Sequence, residues 1–358
     1  MRKVRVLVVE DSLVVRELLR HIIGSDPRLE VVEAVGSAEE ALAVVERVNP
    51  DVVSLDIRLP GMNGLDATLQ IMSRHPVPIV VVAASVQDDD LNIAMNALRA
   101  GALMVLEKPV GVSSEAYQTV ANRLCTQLVI MSQVKVVRQG NRRLSFGSTP
   151  VVAPVAAPTS RSLAAQPVEM LGVVSSTGGP SALVALFTGL GGDFPLPILL
   201  CQHMTASFLE GFVSWLATVT PFQVKIARTG ETPLPGHIYV APVDRHLVLS
   251  GGVCRITGEA LESNQRPSGT VLLRSMAEDL GNRAIGVVLT GMGTDGAEGL
   301  LALHKTGAIT IAEDETTCVV YGMPAAACAL KAVRESLPLP MIAPRLRQIA
   351  ELGKGRFA

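Results

Sequence analysis

Three residues, far apart in the 358-residue chain, have the types that acyl transfer needs: Ser176, His203 and Asp295. A serine hydroxyl is a weak nucleophile until a neighbouring base takes its proton, and an imidazole serves that role best when a carboxylate orients it. Ser176 lies in Ser175-Ser176-Thr177-Gly178-Gly179-Pro180, a turn between an apolar run and a helical pattern. A serine there has an exposed hydroxyl, and the N–H groups at the helix start suit an oxyanion. The residue two before it is Val174, so this is not a G-x-S-x-G elbow. Taken alone, the loop reads at least as well as a Gly-rich turn whose serine caps a helix. His21 and His75 belong to the first half, His304 to a helical pattern, His237 to an expected hairpin turn, and His246 to the start of a short strand. His203 instead follows the apolar run ending at Gln202, as Ser176 follows its own run; by itself it reads equally as a buried, hydrogen-bonded group. Asp295, in Thr290-Gly291-Met292-Gly293-Thr294-Asp295-Gly296, could merely cap the next helix, yet it too stands beyond a strand's carboxyl end and could orient His203. The order Ser, His, Asp disfavours the α/β-hydrolases, whose order is Ser, Asp, His.

A second constellation lies in the first half: Glu10-Asp11, Asp56 and Lys108-Pro109 each close an apolar run. Carboxylates gathered at one edge repel one another without a cation, and hard oxygen ligands of this kind suit Mg²⁺. Asp56 would then be a phosphoryl-accepting nucleophile, with Glu10, Asp11 and Asp56 as the metal ligands and Lys108 offsetting charge on the phosphate oxygens. A single strand-end aspartate reads more simply as a loop carboxylate; three acids and a Lys-Pro in matching positions within ~110 residues do not.

Elements must bring these residues together. In the first half the runs Val4–Val9, Glu30–Val35, Asp51–Leu55, Pro78–Ala83 and Leu103–Leu106 alternate with helical spacing, which predicts a parallel, doubly wound sheet of five strands. Ser12 precedes one helix, Ser37-x-x-Glu40 opens another as a capping box, and the stripe Tyr117, Val120, Ala121, Leu124, Leu128, Met131 predicts a long last helix. Residues 138–167 hold four prolines among Ser, Thr, Ala and Arg and read as a linker. From Val168 alternation resumes, with strands expected at Glu169–Val174, Pro197–Gln202, Phe222–Ala227, Ile238–Ala241, Leu247–Leu249, Ile285–Leu289 and Ala308–Ala312, and the last helix over Pro324–Val333. Pro235-Gly236-His237 and Ser250-Gly251-Gly252 read as hairpin turns, so this α/β sheet is expected to be mostly parallel but mixed. The organisation is thus 1–125, a helix extension and linker over 126–167, and a catalytic unit over 168–358.

Composition narrows the function. With 31 Lys+Arg against 33 Asp+Glu the net charge is −2, which disfavours nucleic acid, and 3% aromatics disfavour a stacking platform. Mean hydropathy is +0.38, yet no uncharged apolar run reaches the ~18 residues of a membrane span. The N-terminal apolar run meets Glu10-Asp11, unlike a signal peptide. Five scattered cysteines without a CxxC pair indicate a reducing, cytoplasmic setting.

Residues 3 to about 125, with Asp56-x-x-Leu59-Pro60-Gly61-Met62-Asn63-Gly64, resemble the response-regulator receiver family. The resemblance implies phosphotransfer to Asp56 from a histidine kinase. It departs where receivers usually carry Thr or Ser at the end of the fourth strand: Ala83 stands there, with Ser85 two residues on as an alternative. Residues 168–345 resemble the catalytic domain of the chemotaxis protein-glutamate methylesterases. The carrying motifs are Ser176-Thr177-Gly178-Gly179, Gln202-His203-Met204, Tyr239-Val240-Ala241-Pro242, Arg266-Pro267-Ser268, Leu289-Thr290-Gly291-Met292-Gly293-x-Asp295-Gly296-Ala297 and Tyr321-Gly322-Met323-Pro324. That resemblance implies hydrolysis of glutamyl γ-methyl esters and deamidation of glutamines on methyl-accepting chemoreceptors, by a phosphorylation-controlled Ser-His-Asp triad with no cofactor of its own and no membrane insertion. Backbone N–H groups at Thr177 and Met292 are expected to hold the oxyanion. Thr205 and Gly269-Thr270 depart from the family's usual residues, at positions expected to leave the triad untouched. Two rival readings are a receiver-linked transcription regulator and a non-catalytic adaptor.

Overall fold

A computed structural model describes residues 2–83, 93, 95–98, 100–109, 114–134, 136 and 167–354. Ser85 and residues 138–166 of the expected linker lie outside the described residues. In the first half, β1 (Val4–Val9), β2 (Leu29–Val35), β3 (Val52–Asp56), β4 (Ile79–Ala83) and β5 (Met104–Glu107) form one sheet, ordered β2-β1-β3-β4-β5, with every pairing parallel. Every residue of β3 and β4 is buried, as their unbroken β-branched runs require. Around them lie α1 (Leu13–Ser25), α2 (Ala38–Val48), α3 (Gly64–Arg74) and α4 (Ser114–Met131). Ser12 caps α1 by accepting from Val15 N. Ser37 Oγ accepts from Glu40 N at 3.2 Å, while the Glu40 carboxylate accepts from Gly36 N at 2.9 Å, so the return bond of the capping box falls one residue early. The long α4 buries Ala121, Leu124, Leu128 and Met131 in one stripe, as their spacing predicts.

The second half comprises β6 (Met170–Ser175), α5 (Gly179–Leu190), β7 (Ile198–Gln202), α6 (Ala206–Val219), β8 (Gln223–Ile226), β9 (His237–Val240), β10 (His246–Ser250), β11 (Val253–Thr257), α7 (Gly269–Leu280), β12 (Ala284–Val288), α8 (Ala297–Lys305), β13 (Ile309–Glu313), α9 (Met323–Ala329), β14 (Glu335–Leu337) and α10 (Leu339–Lys354). Seven of these strands form a sheet ordered β14-β13-β12-β6-β7-β9-β8. Alternate residues along β6 enter opposite cores. Leu171 and Val173 pack with Phe187, Phe212 and Leu346, whereas Met170 and Val174 pack with Leu272, Met276 and Leu300. Helices therefore cover both faces, and the carboxyl edge of the sheet is left for chemistry.

The expectation of a mixed sheet is corrected: all seven strands run parallel. Pro235-Gly236-His237 is not a hairpin turn, because β8 and β9 pair in parallel and His237 opens β9. The connector between them is drawn away from the sheet by bonding to β11, with Gly230 N donating to Cys254 O at 2.9 Å and Cys254 N to Glu231 O at 2.8 Å. Ser250-Gly251-Gly252 does turn a hairpin, but its strands β10 and β11 make a separate antiparallel ribbon. The helix expected over Pro324–Val333 stops at Ala329, and β14 and α10 complete the fold beyond it.

Candidate active site and acidic pocket

Parallel strands deliver all their carboxyl ends to one edge, and a crevice opens where the winding reverses. In the larger sheet β7 lies on one side of β6 and β12 on the other, so that point falls at the end of β6. Ser175 pairs with Gln202 in register, so the next residues, Ser176 and His203, leave adjacent strands side by side. The loop after β12 closes the third side: Ser176 N donates to Thr290 O at 3.1 Å.

His203 Nε2 lies 2.8 Å from Asp295 Oδ2. Asp295, only 2% exposed, accepts three further bonds: Ser268 Oγ (2.6 Å) and Thr270 N (3.0 Å) on Oδ1, and Gly269 N (2.6 Å) on Oδ2. The carboxylate thus sits at the N-terminus of α7, where unpaired N–H groups and the helix dipole favour an anion. Burial pushes its pKa up, but the bonds from His203, Ser268 and Gly269 outweigh that and hold it below the ordinary carboxylate value. An ionised carboxylate only accepts, so Nε2 carries the imidazole proton and Nδ1 keeps the lone pair. Nδ1 is buried with no hydrogen-bond partner among the described residues, so Ser176 Oγ does not yet donate to it. Such contacts commonly tighten only with substrate in place. The ring is oriented in the reverse sense to the serine-protease triad, where Nδ1 faces the aspartate.

One expectation changes here, and one alternative falls away. Gly269 and Thr270 do touch the triad, because the first N–H groups of α7 point into the crevice where Asp295 lies. A side chain at 269 would place its Cβ 2.1 Å from Val174 Cγ1, so glycine is required. Asp295 does not cap α8, whose N-cap is Gly296 without a side-chain bond. His246, completely buried, supports the same clamp: its Nδ1 accepts from Ser268 N at 3.2 Å and its Nε2 donates to Ala260 O at 2.9 Å. Thr290 ties the loop down by donating from Oγ1 to Thr177 O (2.9 Å) and from N to Glu313 Oε2 (2.8 Å). Glu313 is fully buried, and burial raises its pKa. The N–H groups of Thr177 and Met292 donate to no acceptor among the described residues. Sequence reasoning assigned no role to Ser268, Thr270, His246, Thr290 or Glu313. Their signal was a polar residue at a helix cap or strand end, too common to single out.

A cavity of about 620 Å³ lies in front of this edge, lined by Ser176, His203 and Met292 on one side and by Leu106, Glu107 and Arg123 of the first half on the other. Ser181 Oγ donates to Leu98 O (3.1 Å), Trp215 Nε1 to Asn96 Oδ1 (3.2 Å) and Ser207 Oγ to Glu107 Oε2 (3.5 Å) across the same boundary. Cys201 Sγ lies close to His203 and Asp295, but burial holds its thiol protonated and the aspartate oxygens are already engaged, so the trio does not suit a metal.

At the carboxyl edge of the smaller sheet, oxygens of Glu10, Asp11 and Asp56 come within 4.8 Å of one another. Glu10 and Asp56 are buried and Asp11 is exposed. Lys108 Nζ stands 2.7 Å from Glu10 Oε2 and 2.8 Å from Asp56 Oδ2. Burial pushes both buried acids above their ordinary pKa despite that lysine, and Glu10 Oε2 makes no aligned hydrogen bond. Two carboxylates sharing one ammonium, with a third beside them, fit a hard dication. Ala83 ends β4, pairs with Glu107 and is buried, and its carbonyl accepts from Lys108 N at 2.9 Å, so a methyl group stands at the strand end where receivers usually carry a hydroxyl.

Residues 6–116 match the family model described as the response regulator receiver domain, and residues 171–346 match CheB methylesterase. A protein-glutamate methylesterase/protein-glutamine glutaminase of Paramagnetospirillum magneticum is 63% identical over 352 residues, covering 98% of each chain. One from Nitrosospira multiformis is 42% identical over 356 residues, covering 99% of each. The solved catalytic domain of Thermotoga maritima CheB aligns at 34% identity and a TM-score of 0.49, covering 51% of this chain and 98% of that one.

Proposed function

We propose a division of labour for a chain that belongs to the protein-glutamate methylesterase/protein-glutamine glutaminase family and carries its receiver domain. The enzyme hydrolyses glutamyl γ-methyl esters and side-chain amides of glutamine. Ser176 Oγ attacks the side-chain carbonyl while His203 Nδ1 takes its proton, and Asp295 holds Nε2 and stabilises the imidazolium that forms. N–H groups of Thr177 and Met292 receive the oxyanion. The imidazolium then protonates the leaving methoxide or amide nitrogen, releasing methanol or ammonia and leaving a γ-glutamyl ester on Ser176. Water, deprotonated by Nδ1, hydrolyses that ester and frees the glutamate. The observation that carries this reading is the pairing of an Asp295–His203 contact at 2.8 Å with an unpartnered Nδ1 beside the nucleophile's strand.

Residues 1–125 accept a phosphoryl group on Asp56 from a chemotaxis-type histidine kinase, and 168–358 act on methyl-accepting receptors in the cytoplasm. Among the described residues no helix is long and apolar enough to cross a membrane. Glu10, Asp11 and Asp56 would hold Mg²⁺, which when bound neutralises charge on the phosphoryl oxygens; Lys108 shares that task. The receiver restricts the crevice until phosphorylation loosens it. The test is methanol release from methylated receptor by the full chain, with and without a small-molecule phosphodonor. Ser176→Ala should retain no more than the ~10³–10⁴ acceleration over water that triad-less enzymes keep. Turnover equal to the parent chain in that variant would dismiss the triad.

A further inference from the structure

Gln202 belongs to a motif that the mechanism above leaves without a task. It ends β7, is 3% exposed, and its carboxamide spends every polar atom on the two catalytic turns. Nε2 donates to Ser176 O at 3.0 Å and to His203 O at 2.9 Å, while Oε1 accepts from Ser175 Oγ at 2.6 Å. His203 N in turn donates to Ser175 O at 3.1 Å. A Cβ at Gly179 would stand 2.1 Å from Gln202 Oε1, so the helix following the nucleophile has a glycine where the amide passes.

We propose that Gln202 is a positioning residue that fixes the nucleophile turn against the base turn. The two residues it joins are adjacent in space, but their side chains belong to separate loops, and no side-chain bond links Ser176 to His203 at rest. Only a group with two donors and an acceptor in one plane can tie both carbonyls and be oriented itself by Ser175. The consequence is kinetic. A misplacement of about 1 Å at a reacting pair can cost on the order of 10²-fold in rate, with substrate binding spared.

This inference rests on the triad reading, and the experiment separates the two. Methanol release by the full chain is measured for the parent, Ser176→Ala, Gln202→Met, Gln202→Glu and Ser175→Ala between pH 6 and 8.5. Gln202→Met keeps the volume and loses all three bonds, and kcat should fall at least about tenfold with KM little changed. Gln202→Glu keeps the shape, but its introduced carboxyl ionises against two carbonyl oxygens, so its deficit relative to the parent should grow as pH rises. A role in packing alone would leave both isosteric variants close to the parent and give no such pH trend; that outcome overturns the proposal. Ser175→Ala, too small a change to unfold the sheet, decides the matter if a Gln202 variant fails to fold: kcat should drop severalfold at unchanged KM, and parent-like kcat overturns the proposal. If the parent and Ser176→Ala hydrolyse alike, the triad reading itself has failed; if they differ while the Gln202 and Ser175 variants match the parent, only the positioning role has.

Discussion

Asp295 shows how a carboxylate is kept ionised in a dry site. Its four bonds come from a serine cap, two helix N–H groups and an imidazole, and together they overcome the cost of burial. Its folded pKa lies below the unfolded value of about 3.9, so its ionisation adds stability that is complete above that value and is lost as pH falls through the folded pKa. Asp295→Asn cannot ionise and puts an amide among donors. Its kcat should fall by about 10⁴, the loss seen when a triad aspartate becomes asparagine. Its unfolding free energy at pH 7 should be lower by about 1–3 kcal/mol, a gap that narrows below about pH 4. Denaturant titrations across that range check this, and a gap independent of pH would contradict the account of the carboxylate.

At the scale of elements, parallel pairing does the assembly. In both halves reactive groups from distant segments meet because their strands end on one edge, and the second-half helices then add N–H groups there. The smaller sheet gathers Glu10 and Asp56 with folded pKa values above the ordinary ones, so their ionisation subtracts stability as pH rises from about 4 through those raised values. A bound dication offsets that. Mg²⁺ should raise the receiver's unfolding temperature, more at pH 8 than at pH 5, with EDTA reversing the shift. At a hundred times Kd the gain is about 2.7 kcal/mol. Asp56→Asn should lose most of it; the same magnesium shift in that variant would show that the ion binds elsewhere.

For the whole molecule, the decisive feature is that one cavity is lined by both halves. Among the described residues three side-chain bonds cross its boundary, and of these Trp215 Nε1 to Asn96 Oδ1 joins a buried indole of the second half to the first. In the proposed switch, a closed and an open arrangement differ by whatever such contacts contribute, and phosphorylation shifts the balance only by its differential affinity for the two. Asn96→Ala removes a bond worth about 1 kcal/mol net, which should raise methanol release without phosphodonor roughly fivefold. The rate with phosphodonor should stay at the parent's. An unchanged basal rate would mean that this contact does not hold the crevice shut.

Apart from β14, α10 and the end of α9, strand and helix identity, the strand-end placement of Ser176, His203, Asp295, Asp56 and Lys108, and the long stripe of α4 could be read from the chain. Each rests on local periodicity and on the rule that parallel strands share an exit edge. The path from β8 to β9, the clamp on Asp295 by Ser268, Gly269 and Thr270, the turn of His203 that leaves Nδ1 unpaired, and the bridging by Gln202 could not. They depend on which N–H groups and carbonyls face one another across elements up to a hundred residues apart. A hydrogen bond of that kind leaves no period in the sequence, and only the folded chain decides which partner each buried polar atom takes.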